Sequence, residues 1–254
     1  MAGFSLPRPR NILRYHTRWN ERPIQPFIDE LIDIWAENDV EGVLDVAIQG
    51  PMMTRFGIRP DNMKSASRII KLRSTYRAVF RRKDLMVYRA DGRIYIDIPW
   101  QRDTVWLGDL LCSGAYSSGA GLPVAIGMNI YKDCIMHDLT DVPHLLIGST
   151  VARDLTVFLQ GILLSLLMRA TPDDLDLYLC SSSNLRFEEY ESLPYCHVFS
   201  SARKVLTMLS ELSEEIDRRN TLFRQHGCRN IYEYTERGGR MRHRIIMITE
   251  YAIA

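Results

Sequence analysis

The chain has 254 residues, of which 46% are apolar and 25% are charged, and this composition is that of a globular protein with a buried core. Its formal net charge of +1 excludes a uniformly basic or acidic protein. The five cysteines are scattered and form no C-x-x-C pair, which excludes a disulfide framework and a zinc module and favours a cytoplasmic setting. The longest apolar stretch, residues 155–168, is too short to span a bilayer, so no membrane anchor is expected.

A basic, proline-containing lead segment covers residues 1–24, and the first predicted elements follow it. In IQPFIDELIDIWAEN the apolar residues recur at helical spacing with acids between them, which predicts an amphipathic helix. The next stretch, GVLDVAIQGPMMTRFGI, is rich in β-branched and apolar residues and is interrupted at Gly50-Pro51. It therefore predicts two strands joined by a turn or bulge.

A basic helix and a hairpin are predicted next. The stretch from Lys64 to Lys83 contains eight basic residues and no acid, and its apolar side chains form one stripe of a helix. In LMVYRADGRIYIDIPW, apolar and polar residues alternate on both sides of Asp91-Gly92, a dipeptide typical of tight hairpin turns. Residues 25–111 are therefore predicted to form a small α+β domain.

The basic helix has two interpretations, and the sequence leaves both open. Its positive face could contact phosphates of double-stranded DNA, and the candidates for this are Arg68, Lys71, Arg73, Arg77, Arg81 and Arg82. Alternatively, the basic face could pair with residues 29–45, which contain seven acids and no Lys or Arg. The second interpretation is at least as well supported, because charge runs this complementary usually meet.

A second region of different character is predicted after residues 112–123, a Gly/Ser-rich stretch that we interpret as a linker between domains. Residues 124–254 show strands at 145–148, 175–180 and 244–248, with helices at about 155–169 and 201–226 between them. Strands that alternate with helices indicate a parallel sheet with helices on its faces.

Several stretches resemble a known family. LPVAIGMNIYKDCIMHDLTDVPHLLI, ILLSLLMRATPDDLDLYL, YESLPY and EIDRRNTLFRQHGCRNIYEYTE are similar to consecutive motifs of the FtsK/SpoIIIE motor region, and GPMMTRF and YIDIPWQRDTVWLGDLL are similar to the domain before it. Members of this family are hexameric double-stranded DNA translocases that use ATP and Mg²⁺. The resemblance implies an α/β fold class, with a small α+β domain followed by an incomplete RecA-like P-loop core that contains a parallel sheet.

The expected nucleotide site departs from the family pattern. A phosphate loop needs the pattern G-x-x-x-x-G-K-[ST], in which glycines let backbone N–H groups surround the phosphate and the lysine neutralises charge. The resemblance places eight residues of this chain at that loop, and only the last one fits the pattern: Ser149, Thr150, Val151, Ala152, Arg153, Asp154, Leu155 and Thr156. Leu155 replaces the lysine and Asp154 adds a carboxylate, so ATP hydrolysis at this loop is not expected.

The second half of the site is also incomplete. RIIMITEYAIA is similar to the family strand that ends in Asp-Glu, where Asp holds Mg²⁺ and Glu polarises the attacking water. Thr249 takes the place of the Asp, and Glu250 that of the Glu. We therefore expect no catalytic residue, no metal and no bound cofactor, and we regard Thr249 and Glu250 as vestigial.

The resemblance also implies a further strand between the strands at Leu145 and Ile245, and this sequence does not supply it. That position could be closed within the chain, filled by another polypeptide or filled by more of a longer protein. The leading prediction is a pseudo-ATPase of phage or mobile-element origin that is an accessory, modulator or decoy subunit. Its predicted partners are FtsK-like translocase subunits or further copies of itself. The alternatives are a sequence-independent double-stranded-DNA-binding module and an ATP-dependent DNA translocase subunit that a partner chain completes.

Overall fold

The structure, a computed structural model, describes residues 6–19, 23–99, 104–119, 121–142, 144–181 and 187–249. The chain forms two compact units. The first comprises Pro7–Ile147 and Gln160–Ser165, and the second comprises Gly148–Leu159 and the described residues from Leu166 onward. The fold is mixed α/β with a parallel three-stranded sheet in the second unit, as the sequence predicts.

Twelve elements lie in the described part of the first unit. They are α1 (Pro9–Ile12), α2 (Gln25–Glu37), β1 (Gly42–Gln49), β2 (Met53–Pro60), α3 (Met63–Lys71), α4 (Arg73–Val79), β3 (Met86–Ala90), β4 (Arg93–Pro99), α5 (Leu107–Leu111), α6 (Gly114–Ser118), β5 (Pro123–Met128) and β6 (Cys134–Asp138). Strands β1 to β4 form an antiparallel sheet of order β1-β2-β4-β3. The predicted turn at Asp91-Gly92 is confirmed, and both residues have the positive φ that a two-residue hairpin turn requires.

The core of the first unit lies on the inner face of this sheet. Alternate residues of β2 and β4, among them Phe56, Ile58, Ile94 and Ile96, are buried against α2, α3 and α4. The indole N–H of Trp35 on α2 donates to the buried hydroxyl of Tyr76 on α4 at 3.0 Å. Burial raises the pKa of Tyr76 to about 12, although this hydrogen bond acts in the opposite direction.

The outer face of the same sheet is held by ion pairs. Arg55 donates two hydrogen bonds of 2.8 Å to Asp97, whose side chain is 2% exposed, and the Tyr88 hydroxyl donates to the same carboxylate at 3.2 Å. The strand β1 contains a bulge between Leu44 and Val46, which lets Asp45 contact Arg59 at 2.6 Å and Arg93 at 3.0 Å.

The predicted basic helix is divided into two. Leu72 closes α3 and precedes α4, and its ψ of 6° departs from the helical value, which bends the chain between them. The side chain of Asn62 accepts the backbone N–H of Ser65 and caps the start of α3.

Residues 112–123, which the sequence predicts to be a linker, lie inside the first unit. Ser113 caps α6, and the buried Tyr116 donates from its hydroxyl to the backbone carbonyl of Ser165 at 2.6 Å. The following strand, β5, pairs with β6, and the N–H of Ala125 donates to the hydroxyl of Ser165. These contacts explain why a Gly/Ser-rich stretch is ordered in this position.

The second unit contains the predicted parallel sheet. Its described elements are α7 (Ala152–Leu167), of which Gln160–Ser165 is assigned to the first unit, β7 (Leu175–Cys180), a 3-10 turn (Glu188–Tyr190), β8 (Cys196–Phe199), α8 (Ala202–Gln225), α9 (Ile231–Glu236) and β9 (His243–Ile248). The strand order is β8-β7-β9, and both pairings are parallel. The predicted helices and the strands at 175–180 and 244–248 are confirmed within one to three residues. Strand β8 is not predicted from the sequence, because its four residues are too few to show a period.

The strand predicted at Leu145–Gly148 is wrong. Residues 144–149 have no strand pairing, and the Leu146 side chain is 97% exposed. A strand exists only through hydrogen bonds to a neighbour. Within the described residues β9 pairs with β7 alone, and the apolar run at 145–148 pairs with neither strand. Among the helices of the described part, none is long and apolar enough to cross a membrane.

Candidate functional site

The segment Ser149–Thr156, predicted to take the register of a phosphate loop, is largely helical. Helix α7 begins at Ala152, so only Ser149, Thr150 and Val151 remain outside it. The residues from Ser149 to Asp154 are exposed, and Leu155 and Thr156 are half-buried. The segment is therefore a three-residue turn followed by a helix, whereas a phosphate cradle needs a longer loop.

Three backbone donors of this segment are engaged within it. The N–H of Val151 donates to the Ser149 hydroxyl at 3.1 Å, and the N–H groups of Asp154 and Leu155 donate to the Val151 carbonyl at 3.1 and 3.2 Å. The Thr156 hydroxyl donates to the Ala152 carbonyl at 3.1 Å, a bond back onto its own helix. A phosphate at this position would have to displace these hydrogen bonds.

The charges at the start of α7 are mixed. Asp154 is an exposed carboxylate in the first helical turn, where it interacts favourably with the positive end of the helix dipole and takes the position of an external anion. Arg153, which precedes Asp154, is exposed. It is the cation closest in sequence to Leu155, the residue at the lysine position of the phosphate-loop pattern. Leu155 contributes no charge, so the segment has a single cation that its own neighbour offsets.

Thr249 sits at the end of β9, where the resemblance places a metal-binding Asp. Its N–H and its hydroxyl both donate to the carbonyl of Cys180 on β7, at 3.0 and 3.3 Å, and the residue is buried. Thr249 therefore extends the ladder between β7 and β9. Glu250 lies outside the described residues. Within the described ranges, no group of three or more His, Cys, Asp or Glu side chains is arranged to hold a metal ion.

Comparison with known proteins identifies the family. The model of the FtsK/SpoIIIE family matches residues 115–252, which is more than half of the chain. The chain belongs to the FtsK/SpoIIIE family.

Its similarity to curated members extends into the first unit. The chain is 28% identical to the DNA translocase FtsK of Campylobacter jejuni (strain 81-176) over 225 residues, which cover 86% of this chain and 24% of that protein. It is also 28% identical to DNA translocase FtsK of Caulobacter vibrioides over 245 residues, 93% of this chain and 30% of the relative. The chain thus spans about a quarter to a third of the length of these curated relatives.

A solved structure has the same fold. The conjugation coupling protein TcpA of pCW3, in its monomer form with ATPγS, superposes with a TM-score of 0.51 at 19% identity, over 87% of this chain and 63% of that one. At this identity the similarity concerns the fold alone.

The six DNA-binding candidates of this FtsK/SpoIIIE-family chain fall into two groups. Three of them contact the protein itself: Arg68 donates to the backbone carbonyl of Asp39 at 2.5 Å, Arg73 donates to that of Val87 at 2.7 Å, and Arg77 donates to that of Leu85 at 3.2 Å. The other three, Lys71, Arg81 and Arg82, make no such contact with the described residues, and Lys71 and Arg81 are exposed. Half of the predicted basic face is therefore used to hold α3 and α4 to their surroundings.

The alternative pairing with the acidic stretch 29–45 is present in one place. The carboxylate of Asp39 lies 3.7 Å from Arg68, and the exposure of the Asp39 side chain is 88%. Asp45 pairs with Arg59 and Arg93, which belong to neighbouring strands. Pairing between the two charge runs is therefore limited to one weak contact in the described residues.

The docking of the lead segment on α5 is not predicted from the sequence. Residues 7–19 contact α5 through His16, whose backbone N–H and ring Nδ1 both contact the carboxylate of Asp109, at 2.5 and 2.9 Å. A sequence signal for this docking is the combination of aromatic rings and cations within a short stretch, namely Arg14, His16, Arg18 and Trp19.

Proposed function

We propose that this chain is a non-hydrolysing member of the FtsK/SpoIIIE family that acts as an accessory, modulator or decoy subunit of a DNA-translocase-type assembly. The observation that carries the proposal is the segment Ser149–Thr156, in which the lysine position holds Leu155 and the N–H groups of Val151, Asp154 and Leu155 are hydrogen-bonded within the chain. Thr249, hydrogen-bonded to Cys180, supports the same conclusion from the second half of the site.

The physical reason is that the catalytic steps need charge that this chain does not provide. Phosphoryl transfer depends on a lysine and a metal ion that neutralise negative charge on the transferred group. At the start of α7 the lysine position holds an apolar side chain, Leu155, and the positive charge of Arg153 is offset by the neighbouring carboxylate of Asp154. A carboxylate repels polyphosphate, and a half-buried leucine cannot reach it as a cation would.

The direct experiment measures nucleotide binding and turnover by the full chain. We expect no Mg²⁺-dependent ATP hydrolysis and no rise in thermal stability at millimolar MgATP. Binding would be easy to detect, because a ligand present at a hundred times its Kd adds about 2.7 kcal/mol to the free energy of unfolding. The matched variants are Thr156→Ala at the retained position and Val157→Ala next to it. ATP binding that requires Mg²⁺ and is lost in Thr156→Ala, but kept in Val157→Ala, would overturn the proposal.

A second experiment tests the association. The chain is mixed with a full-length FtsK-family translocase from the same cell, and the mass of the assembly and its ATPase rate are measured. We expect mixed assemblies with a lower ATPase rate per translocase subunit. A chain that never enters the assembly would refute the subunit role.

A second candidate is an ATP-dependent translocase subunit whose site is completed by a partner chain. Membership of the family and the exposed Arg153 at the start of α7 favour it, since an adjacent cation could act once a partner supplies the missing groups. The two candidates differ in the ATPase rate of the mixed assembly. An accessory subunit lowers this rate, whereas a subunit completed by a partner raises it, and Arg153→Ala should abolish the increase.

A further inference from the structure

The basic strap, defined as residues 8–19, is a positively charged surface of the first unit. It contains Arg8, Arg10, Arg14 and Arg18, all of them exposed, and no acidic residue. We propose that the basic strap binds the phosphate backbone of double-stranded DNA. The choice of DNA among polyanions rests on the proposed function, whereas the location and chemistry of the surface come from the contacts below.

The strap is fixed on the protein, so its arginines are held in position before any ligand binds. His16 contacts the carboxylate of Asp109 twice, and the Asp109 side chain is only 4% exposed. The same carboxylate accepts the backbone N–H of Trp106 at 2.7 Å. A methyl group added at Gly108 would collide with the backbone carbonyl of Arg14, so only glycine permits this close approach.

The rings of the strap strengthen this attachment. The guanidinium group of Arg14 lies 4.3 Å from the centre of the Trp106 ring. The rings of His16 and Trp19 stack with their centroids 4.5 Å apart. Holding a chain in place in advance reduces the ordering cost of binding, so a docked strap binds more tightly than a free basic tail of the same charge.

The positive charges of the strap are not neutralised by a carboxylate among the described residues. Among the described residues, no carboxylate forms an ion pair with any of its four arginines, and its one acidic contact, Asp109, is used by His16. In α3 and α4, by contrast, Arg68, Arg73 and Arg77 donate to backbone carbonyls. The four arginines of the strap thus have no carboxylate partner among the described residues, whereas three of the six candidates in α3 and α4 are hydrogen-bonded to the backbone.

The shape of the strap fits a phosphate backbone better than a lipid surface. Its only helix, α1, is a single turn of four residues with one exposed aliphatic side chain, Ile12. Binding in a membrane interface needs an amphipathic helix with a broad apolar face. Double-stranded DNA presents one negative charge per about 1.7 Å of its axis, so an exposed row of arginines finds several phosphates at once.

The test is the salt dependence of binding to a labelled 30-base-pair duplex, measured by fluorescence anisotropy. One variant carries Arg8→Gln, Arg10→Gln and Arg18→Gln, which removes three charges and leaves Arg14 on its ring. The matched control removes three charges from the basic helices through Lys71→Gln, Arg81→Gln and Arg82→Gln. Each lost phosphate contact lowers the slope of log K against log salt by about 0.9, so the strap variant should lose about 2.7.

In measured terms, raising NaCl from 50 to 200 mM should weaken binding of the unchanged protein about 40-fold more than binding of the strap variant. The helix control should keep most of the slope. Three outcomes would overturn the proposal: no salt-dependent duplex binding, a slope lost only in the helix control, or binding to phosphatidylserine vesicles without binding to the duplex.

Two further measurements test whether the docked position matters. Asp109→Asn adds one unit of positive charge, so simple attraction predicts tighter binding, whereas release of the strap should weaken binding about three- to tenfold. In limited trypsin digestion the duplex should protect the bonds after Arg14 and Arg18, while cleavage after the exposed Arg237 and Arg240 continues. Tighter binding by Asp109→Asn, or no selective protection, would contradict the docked strap.

None of these assays contains nucleotide or a translocase. Failure of the strap to bind DNA would therefore leave the non-hydrolysing role intact, and MgATP turnover would leave the salt slope intact.

Discussion

The pair Arg55–Asp97 offers the sharpest test of how the first unit is held together. Arg55→Met removes the guanidinium group but keeps an unbranched apolar side chain that can follow the same path. The carboxylate of Asp97, 2% exposed, then loses two hydrogen bonds of 2.8 Å and keeps only the donor from Tyr88. Breaking a buried pair in this way costs about 3–5 kcal/mol because the remaining charge is uncompensated.

The lower end of that range applies here, since the Arg55 side chain is 25% exposed and water can reach the vacated space. We expect a loss of about 3 kcal/mol. With a urea m-value of about 2 kcal/mol/M, the unfolding midpoint should fall by about 1.5 M. The double variant Arg55→Met with Asp97→Val removes both charges and should recover most of the loss, because an apolar pair of similar volume can replace a buried ion pair.

Urea unfolding followed by tryptophan fluorescence is a suitable assay, because all four tryptophans lie between sequence positions 19 and 106, within the range of the first unit. The control is Arg59→Met on the same sheet face, where the arginine side chain is 65% exposed and its loss should matter much less. The reasoning is refuted if Arg55→Met and Arg59→Met shift the midpoint equally, or if the double variant is less stable than Arg55→Met alone.

Three further predictions concern single side chains. Tyr76→Phe leaves the buried indole N–H of Trp35 without its acceptor and should cost about 1–2 kcal/mol in urea unfolding. Because the Tyr76 pKa is raised to about 12, the stability of the unchanged protein should fall as pH rises from 10 to 12. The variant should lack this part of the pH dependence. Burial acts to raise the pKa of Glu215, but three neighbouring guanidinium groups lower it below 4.5. The ionised Glu215 therefore stabilises the folded protein above pH 4.5, and this stabilisation is lost as pH falls below that value. The stability advantage of the unchanged protein over Glu215→Gln should disappear in acid titrations. Asn62→Ala removes the cap that accepts the Ser65 N–H and should cost about 1 kcal/mol, whereas an unchanged melting temperature would show that α3 does not depend on it.

Much of the fold could be predicted because its signals are local. Helical spacing in α2, the Asp91-Gly92 turn and the apolar run of β7 each depend on residues that are neighbours in sequence. The prediction of a strand at Leu145–Gly148 is wrong because strand formation there depends on residues distant in sequence. Its sequence is that of a buried strand, but a strand also needs a partner, and the presence of a partner is a property of the whole sheet.

The candidate site shows the same limit. The residue types at Leu155, Asp154 and Thr249 could be read from the sequence, since they follow from register alone. The hydrogen bonds that engage the N–H groups of Val151, Asp154 and Leu155 could not be predicted, because they depend on where α7 begins. The sequence also overestimates how many cations of the basic helices are free to contact DNA. A charge run shows the number of cations, but not that Arg73 and Arg77 donate to backbone carbonyls.

Those two arginines have a consequence for how sheets of this chain can grow. Strand β3 is an edge of its sheet, and Arg73 and Arg77 occupy the carbonyls of Val87 and Leu85 along that side, which would otherwise be free to recruit a foreign strand. The bulge in β1 protects the opposite edge in another way. Among the described residues, the edge strand β9 has neither charge nor proline in its stretch Ile245–Ile248. This stretch is therefore a site at which amyloid-like stacking could start, and Ile246→Lys would act as a gatekeeper against it.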